Sequence, residues 1–296
     1  MGGLLLERGA LVTKPSRRGK TIRRRSLIRA GLMIGMALLS VLGQTVVAAP
    51  PGNAKGRGGK PSEWRDDFTG SAVDASRWVN AGGQAPGYIP GNHIGYYDPT
   101  NVSVQNGYLV ISLTQDNGIV DGLLGVISKG GIIYTKGTYG YGTYEWRMRM
   151  SSTAVTPLGA GSPVSGSVSA GFNYVNNSQT EIDFEFGGHL PGWLYMSNWH
   201  NTNPPTGPTD SQATYTAASV PDISTSFKTY KFVWERRKIT FYVNDVFQTS
   251  HVTDIPSAPA YFMINHWGTN NLWWGGLATV GSSRYFYIDW VRYTPQ

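Results

Sequence analysis

The sequence predicts an all-β fold of the sandwich or barrel type. From Trp64 to Tyr293, short runs of β-branched and aromatic residues alternate with Gly, Asn, Asp and Pro. Many short strands at such spacing are typical of β-sandwiches and barrels. The same region has no amphipathic helical pattern and no internal repeat. We therefore expect one β-sandwich domain over residues 63–296.

The candidate strands follow one another along this domain. They are 101–113, 138–150, 169–174, 180–186, 230–234, 239–243, 260–265 and 285–293. In the second of them, Trp146 and Met148 alternate with Glu145 and Arg147, which is the period of a strand with one buried and one solvated face. Two polar segments, 151–167 and 201–225, are predicted to be long loops. Such loops often shape a binding cleft.

The N-terminal region has the features of an export signal. Residues 1–60 contain 12 Lys and Arg and one acidic residue, a net charge of +11, whereas the rest of the chain has a net charge of −4. An arginine-rich stretch at 23–29 precedes an apolar run at 30–43, which is shorter than the ~20 residues of a membrane span. We expect an export signal over 1–49, of the twin-arginine or the ordinary type. A flexible Gly- and Pro-rich linker is expected over 50–62.

These features limit the partners. The mildly acidic domain has no basic stripe, so we expect no nucleic-acid partner. Once the signal is cleaved, we expect a secreted monomer with no membrane contact. The chain has no cysteine, so it has no disulfide, and its size does not require one. The 10 Trp and 17 Tyr either fill the core or stack against a ligand such as a sugar ring.

Three acidic residues occupy alternate positions in the predicted strand 180–186. Strand side chains alternate with a period of two, so Glu181, Asp183 and Glu185 share one face, and the intervening Ile and Phe residues point into the core. Neighbouring carboxylates raise one another's pKa, which suits a group that donates a proton near neutral pH. The pattern also fits a solvated strand face that binds a cation.

The spacing of the two Glu residues allows them to act together. Four residues of strand separate their Cα atoms by about 13 Å. Side chains that lean together would bring the carboxyl groups to the ~5–5.5 Å of a retaining glycosidase. The ~6.5–9.5 Å of an inverting enzyme is also compatible with this geometry.

The segment Glu-Ile-Asp-Phe-Glu-Phe resembles the signature of glycoside hydrolase family 16, and the resemblance extends from about Trp64 to Tyr293. Supporting stretches are the Tyr- and Gly-rich segment at 139–149 and the segments 263–267 and 289–293. The resemblance implies a concanavalin A-like jelly roll with a glycan-binding cleft on its concave sheet. It also implies an endo-acting retaining hydrolase of a polysaccharide, with no cofactor in its chemistry.

The resemblance also assigns roles to individual residues. Glu181 matches the nucleophile, Glu185 the acid/base and Asp183 an assisting residue. The positions that match substrate contacts are Asn198, Trp267, Trp273, Trp274, Tyr174, Phe172 and His200. Many family members bind a structural Ca²⁺. The matching ligands are the Asp289 side chain and the backbone carbonyls of Gly107 and Asp67, an oxygen-only set that suits this ion.

The substrate is less well defined. One residue separates Asp183 from Glu185, a spacing that resembles the lichenase and xyloglucan-active branch. Gln179, Tyr134 and His200, however, replace the Trp, Arg and Tyr of the lichenase pattern. We expect a β-glucan, mixed-linkage or β-1,3, and leave xyloglucan and galactan-type substrates open. Two other functions remain: a transglycosylase with a sugar acceptor, and a non-catalytic carbohydrate-binding protein on the same fold.

Overall fold

A computed structural model describes residues 62–176, 178–201 and 212–296. This part of the chain forms strands and one short 3-10 turn at Pro99–Asn101. The strands are β1 (Trp64–Asp66), β2 (Trp78–Ala81), β3 (Gly83–Gln84), β4 (His93–Tyr97), β5 (Val102–Gln105), β6 (Tyr108–Val120), β7 (Leu123–Tyr139), β8 (Gly142–Ser152), β9 (Ser167–Val175), β10 (Thr180–Gly187), β11 (Trp193–His200), β12 (Gln212–Ser219), β13 (Lys228–Glu235), β14 (Lys238–Val243), β15 (Val246–His251), β16 (Ala260–Gly268) and β17 (Arg284–Pro295). Within these described ranges no helix is long and apolar enough to cross a bilayer. The predicted export signal and all but the last residue of the predicted linker lie outside the described residues.

The strands form two large antiparallel sheets. In sheet I, β17 pairs with β6, β1 and β8, and the sheet continues through β13, β14 and β15. In sheet II the order is β12, β11, β10, β9, β16, β7 and β2. A smaller third sheet joins β3, β4 and the extended ends of β6 and β7, where β4 runs parallel to β7. The predicted all-β sandwich is confirmed.

The main core lies between sheets I and II. As the alternation in the acidic strand predicts, Ile182, Phe184 and Phe186 are fully buried in it. Phe184 packs edge-on against Trp146 of sheet I, with ring centroids 6.2 Å apart. Gly171, next to Phe184 on β9, leaves the space that the Trp146 ring fills. The acidic strand is therefore anchored through its apolar face.

Two boundaries differ from the sequence prediction. The predicted strand 101–113 is a hairpin, because Asn106 and Gly107 adopt left-handed φ angles of 53° and 79° and turn the chain between β5 and β6. The predicted loop 201–225 contains β12, whose small and polar residues pair along all of β11. The predicted loop 151–167 is correct, since β8 ends at Ser152 and β9 begins at Ser167.

Candidate active site

The acidic strand β10 lies inside sheet II, between β9 and β11. Its face opposite the core carries Glu181, Asp183 and Glu185, and the first and last of these are partly exposed while Asp183 is buried. Pairing with both neighbours fixes the backbone of β10 along its length. The three carboxyl groups are therefore held by a rigid element that is anchored in the core.

Each of two acids receives its own hydrogen bonds. The Ser178 hydroxyl, in the turn before β10, donates to Glu181 Oε2. Asp183 Oδ2 accepts from the Ser197 hydroxyl at 2.5 Å, and the nearby Trp199 side chain also lowers the pKa of Asp183. No hydrogen bond to Glu185 is present within the described residues.

Burial raises the pKa of all three carboxyl groups. For Glu181 it raises the pKa to about 7, against the lowering effect of the Ser178 hydrogen bond. For Glu185 burial and the charge of Glu181 raise the pKa to about 8. The pKa of Asp183 is raised by burial and by both Glu charges, although its hydrogen bonds lower it. Such a cluster holds protons at neutral pH, as a proton-donating site requires.

Aromatic side chains surround the acids on the same face of sheet II. Tyr174 lies opposite Glu181 on β9, and Phe172 lies opposite Asp183. On the other side, Tyr195 lies opposite Glu185 and packs edge-on against Trp274, with centroids 4.9 Å apart. These positions fit the predicted cleft.

The two remaining predicted tryptophans differ in accessibility. Trp267 shares this face through its pairing with Val168, but only 2% of it is exposed because the loop around Gly87 covers its ring. Trp273 is 64% exposed in the loop after β16. Only the second is available to stack on a ligand in this conformation.

Asn198 and His200 are corrections to the sequence prediction. Asn198 lies opposite Ile182, and His200 lies opposite Thr180, so both are on the reverse face of β11. The Asn198 amide is fully buried. It donates to the carbonyls of Thr253 and Asp254, and its oxygen is 2.6 Å from His251 Nδ1. A shift of one residue in a strand exchanges its two faces, which accounts for the error.

The residues of β11 that lie opposite the three acids are Tyr195, Ser197 and Trp199, and none of them was predicted from the sequence. The period of two that places the three acids also places these residues, once the pairing of β10 with β11 is known.

Two further residues near the acids, Tyr97 and Asn265, were not predicted from the sequence either. The Asn265 amide donates to the Tyr97 hydroxyl at 3.0 Å, and the charge of Glu185 contributes to raising the pKa of Tyr97.

The three predicted calcium ligands lie in one part of sheet I. Gly107 precedes the start of β6 and Asp67 follows β1, and both strands pair with the segment of β17 that contains Asp289. Asp289 Oδ2 accepts from Arg147 Nε at 2.7 Å. One carboxylate and two carbonyl oxygens remain a donor set that Ca²⁺ takes. Among the described residues, no group of three or more His, Cys, Asp or Glu side chains could hold a metal ion.

Comparison with known proteins places this chain in a family. The sequence model of the family described as "Glycosyl hydrolases family 16" matches residues 92–292, which include β4 to β17 nearly to its end. The chain belongs to glycosyl hydrolase family 16. The family 16 match covers the acidic strand and every strand that pairs with it.

Individual relatives agree with this membership. A β-glucanase of Paenibacillus polymyxa is 32% identical over 161 residues, 53% of this chain and 60% of that protein. The structure of a Bacillus licheniformis β-glucanase superposes with a TM-score of 0.63 at 23% identity, over 80% of this chain and 100% of that chain. The catalytic domain of a Thermotoga petrophila laminarinase gives 0.59 at 21% identity, over 78% and 95%. The chain spans about 60% of the length of the curated relatives it matches first.

Proposed function

We propose that this protein is an endo-acting retaining glycoside hydrolase that cleaves an uncharged β-glucan. The observation that carries the proposal is the row of three carboxyl groups on one face of one strand, flanked by aromatic side chains. Family membership and the names of the β-glucanase relatives support it. The reaction needs no cofactor.

In this mechanism Glu181 is the nucleophile. Its carboxylate attacks the anomeric carbon while Glu185 donates its proton to the leaving oxygen, so the glycosidic bond breaks as the Glu181–sugar ester forms. Glu185, now a carboxylate, removes a proton from water, which attacks the same carbon and releases Glu181. Asp183 lies between them. Its hydrogen bond from Ser197 fixes its orientation, and its charge is coupled to those of both Glu residues.

Five of the seven strands of sheet II favour a neutral polymer, and the lysines of this sheet, Lys129 and Lys136, are on β7. The strands β9, β10, β11, β12 and β16 contain neither Lys nor Arg. A sulfated or carboxylated glycan would require cationic partners, because a buried or partly buried anion is costly without them. A glucan needs only hydroxyl partners and aromatic faces. This favours β-glucans over carrageenan-type substrates.

The test is a panel of mixed-linkage β-glucan, laminarin, xyloglucan, agarose and carrageenan, scored for new reducing ends. Release from a β-glucan with none from carrageenan is expected, and Glu181→Ala should abolish it. If the protein is retained on β-glucan and releases no reducing ends from any polymer, it is a binding protein and the proposal fails.

A transglycosylase is the second candidate. The side of the acids formed by β11 and β12 carries Trp193, Trp199 and Tyr215, which provide aromatic surface for a second sugar. A sugar hydroxyl would then take the place of water in the second step. Incubation with a labelled acceptor oligosaccharide separates the two reactions, because chain lengths redistributed without net reducing ends would exclude simple hydrolysis.

A structural Ca²⁺ at Asp289, with the carbonyls of Gly107 and Asp67, is part of the proposal. It would tie the start of β6 and the end of β1 to β17. We expect CaCl₂ to raise the melting temperature relative to EDTA in the wild-type protein and not in Asp289→Ala. Equal melting temperatures in both buffers would rule out the ion.

We also propose that the protein is exported, because residues 1–49 have the charge and apolar pattern of an export signal. We propose a monomer, because the mechanism requires no residue from a second chain. Mass spectrometry of protein from the culture medium should find an N-terminus near residue 50. Light scattering should give the mass of one chain. Intracellular full-length protein would contradict the first expectation, and a dimer mass the second.

A further inference from the structure

The two glutamates of the site are alike in their strand, face and partial exposure, yet the proposed mechanism requires different protonation states. Glu181 must be ionised to attack, and Glu185 must hold a proton. Within the described residues two effects separate them: Glu181 accepts a hydrogen bond from Ser178 whereas Glu185 accepts none, and the charge of Glu181 raises the pKa of Glu185. A donor to a carboxylate favours its charged form.

Ser178 lies in the turn between β9 and β10, three residues before Glu181. Its φ angle is 58°, in the left-handed region that residues with a Cβ rarely occupy. Asn176 in the same turn has a φ of 43°. Non-glycine residues in this region persist where the surrounding structure enforces them, and such strain often collects at functional sites.

The turn is fixed on both sides of Ser178. The backbone N–H of Gln179 donates to the Asn176 carbonyl at 2.9 Å, and the Asn176 amide donates to the Gln179 side-chain oxygen at 3.3 Å. The Thr180 hydroxyl donates to the Ala258 carbonyl at 2.7 Å and anchors the first residue of β10. The hydroxyl of Ser178 is thus delivered to Glu181 by a closed turn.

We propose that Ser178 is a positioning residue that holds Glu181 as the ionised nucleophile, so that the turn before β10 determines which glutamate attacks and which donates the proton. The inference rests on the proposed function. Because only Oε2 of Glu181 accepts this bond, the second oxygen is left for the anomeric carbon. Burial raises the pKa of both glutamates, and the Ser178 hydroxyl is the group that opposes this effect at Glu181.

The test is a titration that does not depend on activity. Protein labelled with [δ-¹³C]glutamate is titrated by NMR as wild type, Ser178→Ala and Ser178→Thr, and the Glu181 signal is identified by its loss in Glu181→Gln. In Ser178→Ala the Glu181 midpoint should rise by about one pH unit, a tenfold change in its ionisation constant. Ser178→Thr, which keeps a hydroxyl, should return it toward the wild-type value.

A second variant separates the hydroxyl from the backbone strain. Ser178→Gly removes the hydroxyl and relaxes the left-handed φ, so it should fold at least as well as wild type and show the same raised midpoint. In both hydroxyl-free variants the acidic limb of the kcat/KM profile should move to higher pH by a similar amount. Unchanged midpoints in both would overturn the inference, even if wild-type protein hydrolyses β-glucan. If wild type hydrolyses no glycan, the proposed function fails, and the titration still decides whether Ser178 controls Glu181.

Discussion

The hydroxyl of Ser197 lies 2.5 Å from Oδ2 of Asp183, across the pairing of β11 with β10. This contact holds the middle carboxyl group of the acidic row from β11, whereas Phe172 flanks it from β9 on the same face of the sheet. Asp183 is 2% exposed, and its two Glu neighbours both raise its pKa. The three acids therefore titrate as one coupled system, in which a change at one position alters the other two.

Removal of either glutamate should distinguish the two proposed roles. Glu181→Ala and Glu185→Ala should each lower kcat on β-glucan by on the order of 10³-fold or more, because each removes a group that acts in the transition state. Azide, a small nucleophile that needs no general base, should restore turnover of an activated aryl glycoside by Glu185→Ala and form a glycosyl azide. Mass spectrometry of the products checks this. Full activity in Glu181→Ala would refute the assignment of the nucleophile.

The pH dependence of activity should reflect the raised pKa values. Activity requires Glu181 ionised and Glu185 protonated, so kcat/KM should rise with pH through the pKa of Glu181, about 7, and fall through that of Glu185, about 8. If both glutamates had ordinary pKa values, both limbs of the kcat/KM profile would lie near pH 4 to 5. A profile of kcat/KM from pH 4 to 10 measures the limbs. An optimum below pH 5 would show that substrate-free enzyme does not hold these protons.

Neutralising Asp183 should stabilise the fold at high pH. The pKa of Asp183 is raised in the folded state, so the folded protein keeps a proton that the unfolded chain releases. The free energy of unfolding therefore falls as the pH rises from 3.8, the pKa of Asp183 in the unfolded chain, toward its pKa in the folded protein. Asp183→Asn keeps an acceptor for Ser197 and carries no charge. Its melting temperature should exceed that of wild type by about 3 °C at pH 8, with no gain at pH 4. An equal increase in melting temperature at both pH values would show that packing, and not the charge of Asp183, causes the stabilisation.

Gly171 should be intolerant of even one methyl group. A Cβ at this position would lie 2.9 Å from Trp146 Cδ1 and from Met148 Cε, inside the sandwich core behind Phe184. Gly171→Ala should lower the free energy of unfolding by about 1–3 kcal/mol, since overpacking forces neighbours out of place. Gly137→Ala on β7 is the matched control, because nothing lies within 4 Å of its added methyl group. Denaturant unfolding compares the two, and similar stabilities would contradict this account.

The fold and the acidic row were predictable from the sequence because both follow from local alternation. The apolar face Ile182, Phe184 and Phe186 fixes which side of β10 is buried, and the acids then face the other way. Asn198 and His200 could not be placed in this way. The alternation in the second half of β11 is weak, since one face carries the polar Ser197 and the other the polar Asn198 and His200. Only the pairing with β10 defines which residue faces the acids. The cover over Trp267 depends on a distant loop, about which local sequence carries no information.

Two tryptophans proposed as substrate platforms should respond differently to substitution. Trp267 is 2% exposed and packs beneath Gly87, so Trp267→Ala should lower the free energy of unfolding by about 3–5 kcal/mol through the cavity it leaves. Trp273 is 64% exposed, so Trp273→Ala should leave the melting temperature unchanged. If Trp273 stacks on the glucan, its removal should raise KM about three- to tenfold, as loss of roughly 1 kcal/mol of aromatic contact implies. Thermal melts and initial rates on the same β-glucan measure both effects. A stable Trp267→Ala with a raised KM would show that the loop around Gly87 opens to make Trp267 the platform.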